Sequence, residues 1–303
     1  MQKLLHKIDT WRKRTPPSFT GPIWANILGW QVIRVLFFNL IHRFGSYRVR
    51  EEAQPHAKKL EEEGVLIIEN FLPPEVFSEI QREYQKEVEK HEMVPLASKY
   101  VIPAGGKTRV GLVHFFPEEG TRLRELLDTH FIQHPLLREL GAVVVRHEIP
   151  SFRPPQIFMN KKVGDEHPDL NSDMYYHADV SYPGVKGYLY LTDVGEDNGA
   201  FRFAKGTHKL TLKRLWWDYR KSIEHAKNRA RVKNRAILGD ETGRSWHCMT
   251  REEEKREGIE GTSMVGKPNS LVMFNVMGFH RRGDFQSDRP RAFAYAYYRD
   301  AAL

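Results

Sequence analysis

The 303-residue sequence predicts an α+β fold with a mainly β core, a sandwich or jelly roll carried on supporting helices. Two observations predict it. The chain up to about residue 140 has helical spacing of its apolar residues, and from there on it changes to short runs rich in Val, Ile, Phe and Tyr. Glycine, proline and Asp-Asn turns separate those runs, and irregularly spaced short strands of this kind suit a closed or double-layered antiparallel core. A composition of 40% hydrophobic and 28% charged residues supports a buried core and excludes global disorder. The single cysteine, Cys248, excludes an intramolecular disulfide framework and a cysteine-rich zinc site, and fits a reduced, cytoplasmic setting.

Taken in order, residues 1–50 read as a basic, amphipathic extension and 51–303 as the main domain. The stretch Gly21 to Ile41 is nearly long enough to span a bilayer, but Arg34 close to its middle makes a span costly. On a helical wheel Trp30, Ile33, Phe37, Leu40, Ile41 and Phe44 share a face, with Gln31, Asn39 and His42 away from it and Arg34 at its edge. That face suits either packing on protein, in the core or between subunits, or a peripheral membrane contact through residues 21–44. The oligomeric state is left open.

Helices are expected over Glu51–Glu63, Glu75–Glu92 and Thr121–Leu140, with a strand at Val65–Ile68 and a break at Pro73-Pro74. Strands are expected at 142–149, 156–160, 187–194, 199–204, 270–276 and 291–298. One long charged segment, about 209–261, interrupts the β pattern as a helical insertion.

The segment MYYHADVSYPG places His177 and Asp179 two residues apart, on one face of an extended chain. Far downstream His280 follows the apolar run SLVMFNV. Two histidines and one carboxylate that leave the remaining coordination positions open form the facial triad of non-haem Fe(II) oxygenases. Arg291 opens the last apolar run, where a guanidinium could hold a carboxylate in a bidentate fork. Arg289 shares its face, so periodicity alone does not separate the two.

These pieces together resemble the phytanoyl-CoA dioxygenase-like Fe(II)/2-oxoglutarate oxygenases. The matching residues are HAD at 177–179, DNGAFRFAKGTHK at 197–209, PNSLVMFNVMGFH at 268–280 and SDRPR at 287–291, preceded by GVLIIENFLPPEVFSEI at 64–80. The resemblance covers roughly residues 60–300 and implies a double-stranded β-helix, the cupin-like jelly roll. It implies Fe(II) on His177, Asp179 and His280, with 2-oxoglutarate as cosubstrate anchored by Arg291, and O2. Gln156 and Asn160 would face the cosubstrate, as would Thr192. The implied reaction is hydroxylation of a small organic or acyl/lipid-like substrate with release of succinate and CO2. The carboxylate at Asp179 argues against a halogenase, which needs that position vacant. Tyr176 stands where members often carry Trp, and Arg281-Arg282 where they often carry Gly or a small hydroxyl residue.

Trp216, Trp217 and Arg282 are candidates for contact with the substrate. His208, in the GTHK turn, is expected to stabilise local backbone rather than bind metal. The basic run from Lys205 to Arg235 reads as a solvated helix face, and no nucleic-acid-binding motif accompanies it. GTSMVGKP at 261–268 fails as a phosphate-binding loop because Pro268 replaces the Mg2+-holding Ser or Thr. The remaining rival readings are a membrane-attached hydroxylase acting on a lipid or glycolipid and a catalytically silent jelly roll that binds a partner.

Overall fold

The computed structural model describes residues 22–45, 47–95, 110–162, 174–231 and 248–298. Its core is two antiparallel sheets packed face to face, the jelly-roll arrangement. The larger sheet has seven strands: β1 (Val65–Ile68), β2 (Val94–Pro95), β3 (Val110–Phe115), β4 (Gln156–Lys162), β5 (Val185–Tyr190), β8 (Leu271–Asn275) and β10 (Arg291–Tyr298). They lie in the order β1-β8-β5-β10-β4-β3-β2. The smaller sheet has the order β7-β6-β9, built from β6 (Phe201–Phe203), β7 (Thr262–Met264) and β9 (His280–Arg282).

Side-chain alternation divides the large sheet between two cores. On one face Val185, Leu189, Leu271, Met273 and the alanines 292, 294 and 296 of β10 pack under helices. Those helices are α3 (Gln54–Glu63), α4 (Pro74–Val88), α5 (Arg122–Leu127) and α6 (Pro135–Val145). On the other face Tyr190, Val272, Phe274 and Phe293 meet Phe201, Phe203 and Met264 of the small sheet. Proline lies in the first turn of α3, α4 and α6, where its missing N–H has no intrahelical partner to lose.

The expected strand at 142–149 does not form. Its valines continue α6, and Val143, Val144 and Val145 are buried in the helix-side core. Burial on a helix over-rides the β preference of a Val run when the preceding turns already carry Leu137 and Leu140 inward. The expected single helix Thr121–Leu140 is two: α5 runs on into a π-turn at Asp128–Ile132, and the chain restarts at Pro135. Strand β5 begins at Val185 and ends at Tyr190, earlier than expected at both ends. Strands β2, β3, β7 and β9 were not anticipated.

The N-terminal helix is interrupted at Gly29, whose φ of +86° suits glycine, giving α1 (Ile23–Ile27) and α2 (Trp30–Arg43). The charged insertion forms α7 (Leu212–Arg231) and α8 (Arg251–Glu257). The latter opens with a reciprocal capping box between Thr250 and Glu253. The remainder of the insertion, 232–247, lies outside the described residues.

Asn269, just before β8, ties the N-terminal part of the domain to the sheet. It is buried with φ +70°; its side chain accepts from the Leu72 N–H at 2.9 Å and donates to the Leu72 carbonyl at 2.7 Å. Asn269→Gly keeps the backbone conformation and removes both bonds. It is expected to lower unfolding stability by about 2 kcal/mol, roughly 1 per bond. Chemical denaturation checks this, and an unchanged midpoint would show the clamp to be dispensable.

Candidate metal centre

His177 and Asp179 do not lie on a regular strand. They sit on an extended segment held by single bridges to Cys248 and His280. The His177 N–H donates to the His280 carbonyl and the His280 N–H to the His177 carbonyl, both at 2.9 Å, while the Asp179 N–H donates to the Val276 carbonyl at 3.0 Å. Alternation still applies: Ala178 points the other way, fully buried against a cluster with Trp217 and Phe279, so His177 and Asp179 share the site side.

The ligand atoms of His177, Asp179 and His280 all lie within 4.8 Å of one another. Each imidazole is turned the same way. His177 Nδ1 lies 2.9 Å from the Tyr175 carbonyl and His280 Nδ1 2.9 Å from the Gly278 carbonyl. A carbonyl only accepts, so each Nδ1 carries a proton and each Nε2 is the nitrogen turned toward the centre. Burial is the main force lowering the His280 pKa, to about 3, so this ring is neutral at physiological pH. The residues present therefore fit a divalent metal: two imidazole nitrogens and one carboxylate converge on a common point.

Lys186 was not singled out from the sequence. Its Nζ lies 2.7 Å from Asp179 Oδ2, at ion-pair distance but without hydrogen-bond alignment. Burial alone would raise the Asp179 carboxyl, but Lys186 first, then His280 and His177, outweigh it and hold it well below the usual carboxylate range. The same pair holds the Lys186 ammonium well above its ordinary value against the opposing effect of burial. The one signal in sequence was a lysine at the alternating position of VKGYLY, on the face of Tyr188 and Tyr190.

That face continues across the sheet. Register pairs Tyr297 with Lys186, Tyr295 with Tyr188, and Arg291 with Asn160. The Arg291 guanidinium is buried, donates to Asn160 Oδ1 at 3.0 Å, and donates a further hydrogen bond to the Gly199 carbonyl. Gly199 has φ +79°, and a Cβ there would strike the Phe285 ring. Arg289 is elsewhere: half-exposed, it is paired with Asp197 at 2.5 Å. Of the two rivals, only Arg291 points into the barrel. Arg282 is brought to the same neighbourhood, since its guanidinium and that of Arg291 lie 5.1 and 6.0 Å from the Phe285 ring centre. Tyr188, whose phenol burial holds above its ordinary range, feels the charges of Lys186, Asp179 and Arg291, and so lies between triad and arginine.

Other expected residues are placed differently. Gln156 faces the same side through β4 alternation, its Oε1 2.9 Å from His114 Nε2. The Thr192 hydroxyl is taken up by backbone, donating to the Pro290 carbonyl at 3.2 Å and accepting from the Ala292 N–H at 2.8 Å. Trp217 packs behind Ala178, edge-on to Phe279, while Trp216 stacks on Tyr219 at the outer surface of α7. Neither indole is brought to the site side. His208 faces the Glu61 carbonyl at 3.1 Å, away from the triad.

A brace behind the site joins both ligand segments. Arg214 and Asp218 of α7 are buried and paired at 3.3 Å. Arg214 donates to the Met277 carbonyl at 2.7 Å, and Asp218 accepts from the Ser181 hydroxyl at 3.4 Å.

The chain matches the phytanoyl-CoA dioxygenase (PhyH) family over residues 60–293. It belongs to that family. No curated protein matches the sequence. Among solved structures, the epimerase SnoN in complex with Fe3+, alpha ketoglutarate and nogalamycin RO is 13% identical, covers 83% of this chain and 88% of its own, and gives a TM-score of 0.51. AviO1 from Streptomyces viridochromogenes Tue57 is 16% identical, with 84% and 97% covered and a TM-score of 0.49. EctD from S. alaskensis is 15% identical, with 84% and 79% covered and a TM-score of 0.47. The SnoN likeness supports the shared fold.

Lys186→Met separates two effects. Removing the ammonium leaves a largely buried carboxylate without its counter-ion, expected to destabilise the metal-free protein by up to about 3 kcal/mol. The same change removes a positive charge beside the triad, so added Mn(II) should raise the melting temperature of the variant by more than that of the parent. Melting curves with and without Mn(II) test both signs. Equal metal-induced shifts would show that Lys186 does not act on the triad.

Proposed function

We propose that this member of the phytanoyl-CoA dioxygenase family is a non-haem Fe(II)- and 2-oxoglutarate-dependent dioxygenase that hydroxylates a small organic or acyl/lipid-like substrate, releasing succinate and CO2. The observation that carries the reading is the convergence of His177, Asp179 and His280 within 4.8 Å, with a buried arginine further along the same face of the sheet. Iron with 2-oxoglutarate and O2 would supply the oxidising chemistry, and the protein supplies position and charge.

In this reading His177 and His280 offer Nε2, and Asp179 a carboxylate oxygen. Lys186 pairs with Oδ2, the carboxylate oxygen that also faces His280 Nε2 at 3.7 Å, so its ammonium lies at the edge of the metal position. Arg291 takes the far carboxylate of 2-oxoglutarate, oriented by Asn160 and the Gly199 carbonyl, with Arg282 adding positive charge nearby. Gln156 extends the polar lining. Tyr188, Tyr295 and Phe158 give the space beside the triad an aromatic wall suited to an apolar substrate portion. A lipid or glycolipid is the more specific substrate reading, favoured by the apolar surface next to the Asp179 segment.

The test is anaerobic loading with Fe(II) followed by succinate formation from 2-oxoglutarate in air. Asp179→Ala should fall to background in protein that still folds by circular dichroism, with a lowered melting temperature because the buried Lys186 ammonium loses its counter-ion. Arg291→Ala should raise the 2-oxoglutarate requirement about thirtyfold, equivalent to about 2 kcal/mol for a buried charge-assisted contact. Arg289→Ala should leave it unchanged. If Arg289→Ala produces the shift instead, the anchor is misassigned. A parent enzyme that never turns over 2-oxoglutarate with Fe(II) would sink the reading.

A further inference from the structure

Helix α2 packs on the domain with the wrong side. A helix on a globular surface normally buries its apolar stripe and exposes its polar one. Here Gln31 and Arg34 are 3% and 9% exposed and face inward with Val35 and Phe38. The stripe Ile33, Leu36, Phe37 and Leu40, at helical spacing, faces out, with Phe37 45% and Leu40 51% exposed. Trp24 and Leu28, at 67% and 73%, extend the patch along α1. The α7 edge adjoins it, since the Tyr219 hydroxyl donates to the Ile27 carbonyl at 3.0 Å and Trp216 stacks on Tyr219. A contiguous apolar surface of this kind marks a contact with something.

Charge selects the occupant. Residues 1–50 hold nine Lys and Arg against one Asp, so this segment alone accounts for the chain's formal charge of +8, and the rest balances to zero. The sequence leading into α1 supplies five of these basic residues, Lys3, Lys7, Arg12, Lys13 and Arg14, against Asp9, so a second copy joined at this face would add like charge, whereas an anionic bilayer would be attracted. The helix is too short for anything but the surface plane: fourteen residues of α2 span about 21 Å, against about 30 Å of hydrocarbon. Among the described residues no helix is long and apolar enough to cross a membrane.

The inner side of α2 contacts the segment that follows Asp179. Asn39 Nδ2 donates to the Ser181 carbonyl at 3.0 Å, and Phe38 lies 5.9 Å from the Tyr182 ring, just past Asp179 in the chain. We propose that α1, α2 and the adjoining edge of α7 form a docking face that lies flat on an anionic phospholipid surface, holding the His177–Asp179 segment at the bilayer. This holds whatever chemistry the triad performs.

The test is flotation of the full chain with vesicles of phosphatidylcholine alone or doped with phosphatidylglycerol, beside sedimentation of the protein without lipid. The parent is expected to float with the doped vesicles, less with neutral ones, and to be released by salt. Phe37→Glu with Leu40→Glu should abolish flotation while melting profile and 2-oxoglutarate turnover stay at the parent's level. A second variant, Arg12→Gln, Lys13→Gln and Arg14→Gln, leaves α1, α2 and α7 unaltered in sequence and should weaken partitioning to doped vesicles about a hundredfold, from about 1 kcal/mol per basic residue near the surface. A parent that stays in solution with both vesicle types overturns the proposal. So does a parent dimer that the two glutamates split, which would assign the face to contact between copies of the chain. A parent that floats with the doped vesicles but never turns over 2-oxoglutarate with Fe(II) would count against the catalytic reading and leave the docking face standing.

Discussion

Two backbone hydrogen bonds hold the site together. His177 and His280 exchange N–H and carbonyl at 2.9 Å each way, so two residues far apart in the chain stand directly opposite one another. Side chains of a directly opposed pair project to the same side, which brings the two rings to a centroid separation of 4.5 Å. Asp179 joins them because an extended chain returns to that side after two residues. The intervening side chain must fit a closed cluster, and at position 178 it is an alanine with no exposure at all. The Arg214–Asp218 pair of α7 braces both strands of this junction from behind, so the inserted helix is part of the support of the site rather than a decoration on it.

The charges in the site are balanced before any ligand arrives. A buried carboxylate without a counter-ion is costly, and Asp179 is the one acid among the three groups that could ligate a cation. Lys186 neutralises it from within the same sheet. Deeper in, the buried guanidinium of Arg291 donates to the Gly199 carbonyl and to the Asn160 amide oxygen. One end of the face thus carries a paired carboxylate and the other a buried guanidinium.

The sequence made the triad legible because its three residues carry unusual chemistry at a spacing tied to backbone geometry. Arg291 was legible only as one of two, since Arg289 obeys the same alternation; burial separated them, and burial depends on Asp197 capturing Arg289 at the rim. The run at 142–149 misled because valine's preference for strands is weak beside the packing of an amphipathic helix already under way. Lys186 was missed because nothing in a local window says that its strand passes beside Asp179. The orientation of α2 was half legible. Its apolar face was evident, but which side would meet the domain depended on partners such as the Ser181 carbonyl and the buried surface of α7.

The division of β10 into a small side and a large side has a consequence for how such a protein diversifies. Toward the helices it presents Ala292, Ala294 and Ala296, and toward the interior Phe293, Tyr295 and Tyr297. Growth on the alanine side would collide with the helical layer, so that side has little room to vary. The partly buried tyrosines on the other side shape the space beside the triad without bearing on the helices. New specificities can therefore accumulate there by trimming or swapping rings, while the scaffold drifts under separate constraints. One strand keeps the inheritance of the fold and the invention of new substrates on opposite faces.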